Sequence, residues 1–155
     1  MKAFAYILSA CISLSCISCS QDYNKLKDSE TDTQKVQMAK KFANDYFTQL
    51  KNGSYYQFHD EAVENLKNFL TEEYQKSSYH QITEQFGNYQ TLEYAETWAL
   101  RSNPGVLIVR LKSDFEKSRK KLEIRVVLNE SGRISGFWLR PWSDVLEEQV
   151  IGIFN

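Results

Sequence analysis

The chain has 155 residues, 42% of them hydrophobic and 14% aromatic, and its 20 Asp and Glu against 19 Lys and Arg leave a net charge of −1. That balance excludes the basic surface needed to bind a phosphate backbone, so nucleic acid is not an expected partner. The length suits one domain around one core. All three cysteines fall at or before position 19, which excludes a disulfide framework in the rest.

The chain opens with Lys2 followed by residues 3–18 without a charge, then Cys19 and a polar sequel. Such a segment partitions into a bilayer as a helix with its lysine on the cytoplasmic side, but it is shorter than the about 20 residues of a stable span. It reads as an export leader. The segment resembles a bacterial lipoprotein signal, in which a small residue precedes a Cys that becomes the acylated N-terminus. Leu8-Ser9-Ala10-Cys11 is nearest to the usual box, yet cleavage there leaves an apolar core of only about seven residues. Cys19, preceded by Cys16-Ile17-Ser18, has a poorer box and a full-length core, and is the favoured lipid site over Cys16 and Cys11. The likeness further implies an outer-membrane or periplasmic address in a bacterial envelope, with Ser20 after the acylated Cys favouring the outer membrane. Two alternatives stay open: Ser18 and Ser20 are small residues suited to plain secretion by cleavage before Gln21, or the leader could remain as an uncleaved anchor.

Residues 20–34 are polar and read as a flexible tether between the signal (1–19) and a domain over 35–155. Ala39, Phe42, Ala43, Tyr46, Phe47 and Leu50 recur at helical spacing and predict a first helix, closed by Gly53. Phe58, Ala62, Leu66, Phe69 and Leu70 continue that period through a second helix. Thr71 before Glu72 and Glu73 caps a third, which Gly87 ends.

Beyond Gly87 the period drops to 2. Leu92, Tyr94, Trp98 and Leu100 predict one strand with a shared face; 106–111, 122–128 and 134–139 predict three more, separated by the turn at 101–105, the polar stretch 114–121 and Asn129-Glu130-Ser131-Gly132. The expectation is an α+β domain of three N-terminal helices packed on a curved four-stranded antiparallel sheet, with a short C-terminal helix.

The motifs Ala39-Lys40-Lys41-Phe42, Phe69-Leu70-Thr71-Glu72-Glu73, Phe86-Gly87-Asn88-Tyr89 and the run from Gly132 through Ile134-Ser135-Gly136-Phe137-Trp138-Leu139 to Pro141 carry a resemblance. They look like the nuclear transport factor 2-like (cystatin-like) superfamily, and within it a bacterial secreted domain family of unknown function. The resemblance implies a cone with a pocket between sheet and helices, in which some members use an Asp-His pair or a lone carboxylate as base. It also implies frequent dimers through the outer sheet face.

No reaction is spelled out in the residues. His59 and Asp60 are adjacent in sequence, but neighbours on a helix point about 100° apart, so adjacency does not make them a dyad. They define an alternative reading as a small pocket enzyme with one of them as general base and Arg140 steadying an anionic substrate. His80 sits in a polar helix face. There is no glycine-framed Ser, HExxH, CxxC or acidic calcium loop, and no cofactor or metal site is expected. Tyr94, Trp98, Trp138 and Arg140 are the candidate pocket-lining set for a small-molecule ligand, while Lys117, Arg119, Lys120 and Lys121 suit a solvated hairpin. Finally, 106–109 and 137–139 are apolar on both faces, so the sheet side away from the helices needs a cover. The tail, with Val145, Leu146, Val150, Ile151, Ile153 and Phe154, is one candidate and a second copy of the chain is the other. The expected role is an exported, membrane-tethered, non-catalytic binding or accessory module, with a homodimerising subunit as a further alternative.

Overall fold

A computed structural model describes residues 23–146. The three cysteines, the leader and the tail beyond Leu146, where the sequence predicts a short C-terminal helix, lie outside the described residues.

Helix α1 (Thr33–Lys51) begins at Asp32, whose carboxylate accepts from the amides of Gln34 and Lys35 at 2.9 and 3.2 Å. Such a cap is worth about 1 kcal/mol. One stripe of α1 is buried, including Phe42, Tyr46 and Phe47, as its 3.6-residue spacing demands. Helix α3 (Glu72–Phe86) starts where expected, with the Thr71 hydroxyl accepting from the Tyr74 amide at 3.3 Å. It ends at Gly87, whose φ of +77° suits glycine and where a Cβ would lie 2.9 Å from the Lys117 nitrogen.

The second helix differs from expectation. Helix α2 covers only Glu64–Phe69, and residues 54–63 run as irregular chain. Phe58 and Ala62 are apolar for another reason: Phe58 packs its ring on Phe42 and Tyr56, and fully buried Ala62 bridges Ile134 at the sheet edge.

The sheet is antiparallel throughout and has five strands in the order β1 (Tyr23–Lys25), β2 (Tyr89–Leu100), β3 (Asn103–Phe115), β4 (Leu122–Leu128) and β5 (Ile134–Pro141). The four expected strands form the meander. The fifth, β1, comes from the stretch read as tether and pairs Tyr23 with Leu100 and Lys25 with Trp98. Three residues carry no periodicity, so only pairing reveals it. The α+β class stands, with five strands in place of four.

The inner face of the sheet packs on the helices through one cluster that includes Val109, Leu111, Ile124, Val126, Phe137 and Leu139 with the α1 stripe. Aromatic rings fill the space between the layers. Phe137 lies 4.9 Å from Phe42 and 4.8 Å from Tyr46, in edge-on contacts worth about 0.5–1.5 kcal/mol beyond their burial. Phe47 adds Tyr89 and Phe115 at 5.3 and 5.6 Å.

Candidate functional site

Of the four candidate pocket residues, three share a face and one does not. A register shift between Tyr94 and Glu96 flips the side-chain alternation of β2. Tyr94 therefore faces inward opposite buried Leu111, donating to or accepting from the Thr97 hydroxyl at 3.1 Å, and borders a groove of about 400 Å³ with Asp28, Val36 and Lys40. Trp98 stands on the outer face, as do Trp138 and Arg140 on β5, and all three are half-buried. The expected single face running through Tyr94 and Trp98 is thus corrected by the bulge.

What joins Trp98 to Trp138 is a ladder of charged side chains that sequence reasoning missed. Glu96, Arg110 and Arg125 are cross-strand partners on β2, β3 and β4, with Glu123 one step along on the same face. Arg110 ion-pairs with Glu96 and donates to Glu123 at 2.8 Å; Arg125 donates to the other Glu123 oxygen at 2.7 Å. Lys25 of β1 reaches Glu96 at 2.6 Å, and the Trp98 indole donates to the same carboxylate at 2.9 Å. Arg110 and Glu123 are completely buried (0% exposed).

The electrostatics follow from that enclosure. Burial pushes the Glu96 carboxyl up, but hydrogen bonds from Lys25 and Trp98 and the Arg110 charge outweigh it and hold its pKa below the ordinary value. Burial alone would lower the Arg110 pKa; the hydrogen bonds and charges of Glu123 and Glu96 reverse that and raise it. Glu96 and Arg110 therefore hold each other in their ionised forms.

The ladder is roofed by the chain that leaves β5. The Trp142 amide donates to the Lys121 carbonyl at 3.1 Å. Its ring lies 4.3 Å from the Arg110 guanidinium carbon and 4.5 Å from the Lys112 nitrogen. Arg110 also donates to the Ser143 carbonyl at 2.6 Å. On the same face, Trp138 folds back along its own strand over Gly136: a Cβ at 136 would meet its ring at 2.1 Å.

The remaining candidates lie elsewhere. His59 and Asp60 are exposed on the irregular chain 54–63, not on a helix as expected; the His59 amide donates to Glu61 at 3.0 Å, and its side chain borders two shallow depressions beside Tyr55 and Gln57. Glu61 also accepts from the Tyr56 hydroxyl at 3.1 Å, and burial together with that carboxylate raises the Tyr56 pKa. His80 is exposed on α3, 3.5 Å from Glu84. In the basic hairpin, Lys121 pairs with Asp114 at 2.6 Å, Lys117 donates to the Thr83 carbonyl at 3.3 Å, and Arg119 and Lys120 face solvent. Among the described residues no group of His, Cys, Asp or Glu could hold a metal ion, and no helix is long and apolar enough to cross a membrane.

The signal for the ladder is present in the sequence only once register is known. Arg110 interrupts the apolar run 106–111, and Glu123 and Arg125 alternate with Leu122 and Ile124. The 116–121 connection sets Arg110 opposite Arg125 and Lys112 opposite Glu123, and only then do these charges become one cluster.

No family model matches the chain, and no curated protein and no solved structure matches it either.

Proposed function

We propose that the chain is an exported, membrane-tethered, non-catalytic binding or accessory module of a bacterial cell envelope that works through the outer face of its sheet. The observation that carries this reading is the packing of the interior. The rings of Phe42, Tyr46, Phe47 and Phe137 occupy the space in which a cone-shaped domain would enclose a substrate. Binding then falls to the surface, and the outer face combines half-buried Trp98 and Trp138 with Arg140 and Lys112 around the buried ladder. Rings supply contact area and cations supply anion recognition there.

The order of three helices before an antiparallel meander supports membership of the nuclear transport factor 2-like superfamily. The uncharged leader ending in Cys19 supports export and acylation, and pairing of Tyr23 with Leu100 leaves three residues between that Cys and the sheet. With so short a connection, an acylated Cys19 would hold the domain close to the lipid surface. The enzyme alternative has less support, since His59 and Asp60 sit on exposed loop chain, outside the ring-filled interior.

Intact-mass analysis of protein extracted from membranes tests the address. The expected species begins at Cys19 and carries an acyl increment; an unprocessed polypeptide recovered from cytosol, with its three thiols free, contradicts it.

A further inference from the structure

Between α1 and α2, residues 54–59 form neither helix nor strand, yet their main chain is held at three points. The Ser54 amide donates to the Gln49 carbonyl at 3.0 Å, and the His59 amide donates to the Glu61 carboxylate at 3.0 Å. Between them Gln75 of α3 pairs with Tyr56 at two points: its Oε1 accepts from the Tyr56 amide at 2.9 Å and its Nε2 donates to the Tyr56 carbonyl at 3.0 Å. Gln75 is only 1% exposed, and its Nε2 also donates to the Leu70 carbonyl at 2.7 Å. A buried amide is costly unless its polar atoms are answered, and this one is answered by fixing the loop.

The side chains of the fixed loop divide. Tyr56 packs its ring 5.3 Å from Phe42 and 5.1 Å from Phe58, while Gln57 and His59 are exposed and Tyr55 is half-buried. Tyr55, Tyr56, Gln57 and His59 border both of two adjoining depressions, of about 340 and 430 Å³, which therefore make one groove. Lys67 and Glu72 complete one end, and Asp45, Gln49 and Ser54 the other. The volumes fall in the about 300–1,000 Å³ range of small-ligand sites.

We infer that this groove is a binding site for a neutral oligosaccharide. The inference goes beyond the outer-face reading and does not depend on it. Each charge on the rim is already answered: Asp45 by Lys41, Lys67 by Glu64 at 2.6 Å and Glu72 by Lys76 at 2.5 Å, so an ionic ligand finds no unmatched partner among them. The amides of Gln49 and Gln57, the imidazole of His59 and the hydroxyl of Tyr55 offer donors and acceptors side by side, which suits sugar hydroxyls that both donate and accept. The Tyr55 and Tyr56 rings supply flat apolar area for the C–H face of a pyranose. An extended peptide, recognised through main-chain hydrogen bonds, fits less well, because the amides of Ser54, Tyr56 and His59 are taken within the chain. A loop already held in place by Gln75 also spares the ordering cost of binding.

Nuclear magnetic resonance of the full chain, titrated separately with cellotetraose, maltotetraose and chitotetraose, tests this. At least one of the three is expected to shift the amides of Tyr55, Gln57 and His59 in a saturable way, with a Kd of about 1 mM or tighter. Tyr55→Ala and Gln57→Ala are each expected to weaken that binding at least about tenfold, Gln57 being an exposed side chain whose loss leaves the core intact. Tetragalacturonate, an acidic counterpart, should bind more weakly than the best neutral sugar. The inference is overturned by the absence of shifts with all three neutral probes, by shifts confined to Tyr94 or Trp98, or by binding that survives Gln57→Ala unchanged. Tighter binding of tetragalacturonate overturns the neutral class.

Discussion

The guanidinium carbon of Arg110 lies 4.3 Å from the ring centroid of Trp142, so the cation at the centre of the outer-face ladder is closed off by the first residue after β5. A strand-interior Arg inside an apolar run is costly unless its charge is answered and its planar face is covered. Here Glu96 and Glu123 answer the charge and the indole covers the face.

Replacing Trp142 by Ala removes the cover and the cation–π contact. The expected loss is about 2 kcal/mol for a desolvated pair of this kind. Urea unfolding followed by far-UV circular dichroism checks it, and an unchanged midpoint would show that the ring contributes nothing to closing the face.

Arg110→Met leaves Glu96 and Glu123 enclosed with part of their counter-charge gone. Breaking a buried network by removing one partner costs about 3–5 kcal/mol, whereas replacing all its members by apolar residues can be close to neutral. The quadruple variant Arg110→Met/Glu96→Leu/Glu123→Leu/Arg125→Met should therefore be more stable than Arg110→Met alone. The reverse order in denaturant midpoints would mean the ladder is solvated in solution.

Acid should weaken the fold through Glu96. Its pKa in the folded chain is below the ordinary 4.5, so its stabilisation is complete above 4.5 and is lost as the pH falls from there through the lower folded value. The stability gap between the parent chain and Glu96→Gln should be constant near neutral pH and narrow below 4.5. A gap that stays flat into that acid range would rule out the Lys25–Glu96–Arg110 pairing as its source.

At position 136 a single methyl group is predicted to be disruptive, because a Cβ there meets the Trp138 ring at 2.1 Å and the indole must move away. Overpacking of this sort costs about 1–3 kcal/mol. Near-UV circular dichroism of Gly136→Ala should show an altered tryptophan band together with a lower melting temperature; retention of both in the parent form would contradict the folded-back position of Trp138.

Much of the inner half of the molecule is legible in the amino-acid sequence. The stripe of α1, the Thr71 cap, the glycines at 53, 87 and 132 and the four-stranded meander are each local signals, and each reappears where its physics puts it. The misreadings have equally physical causes. Phe58 and Ala62 fall on a helical spacing by coincidence of core plugging, and Tyr23 to Lys25 are too few to show alternation. The bulge at Ala95 turns Tyr94 and Trp98 to opposite faces, which no residue type there announces. The ladder is hidden for a related reason: Glu96, Arg110, Glu123 and Arg125 are spread over three strands, and only hairpin register assembles them. Trp98, Trp138 and Arg140 are reachable from residue type and spacing, but the charges between them are not.

Nuclear magnetic resonance of the Arg110 guanidinium addresses the enclosed outer-face ladder most directly. With Arg110 fully buried between Glu96, Glu123, the Ser143 carbonyl and the Trp142 ring, its Nη protons should give separate signals that exchange slowly with water at neutral pH. A single averaged, rapidly exchanging signal would mean that the side chain rotates in solvent, and the outer face would then have neither the ladder nor its cover.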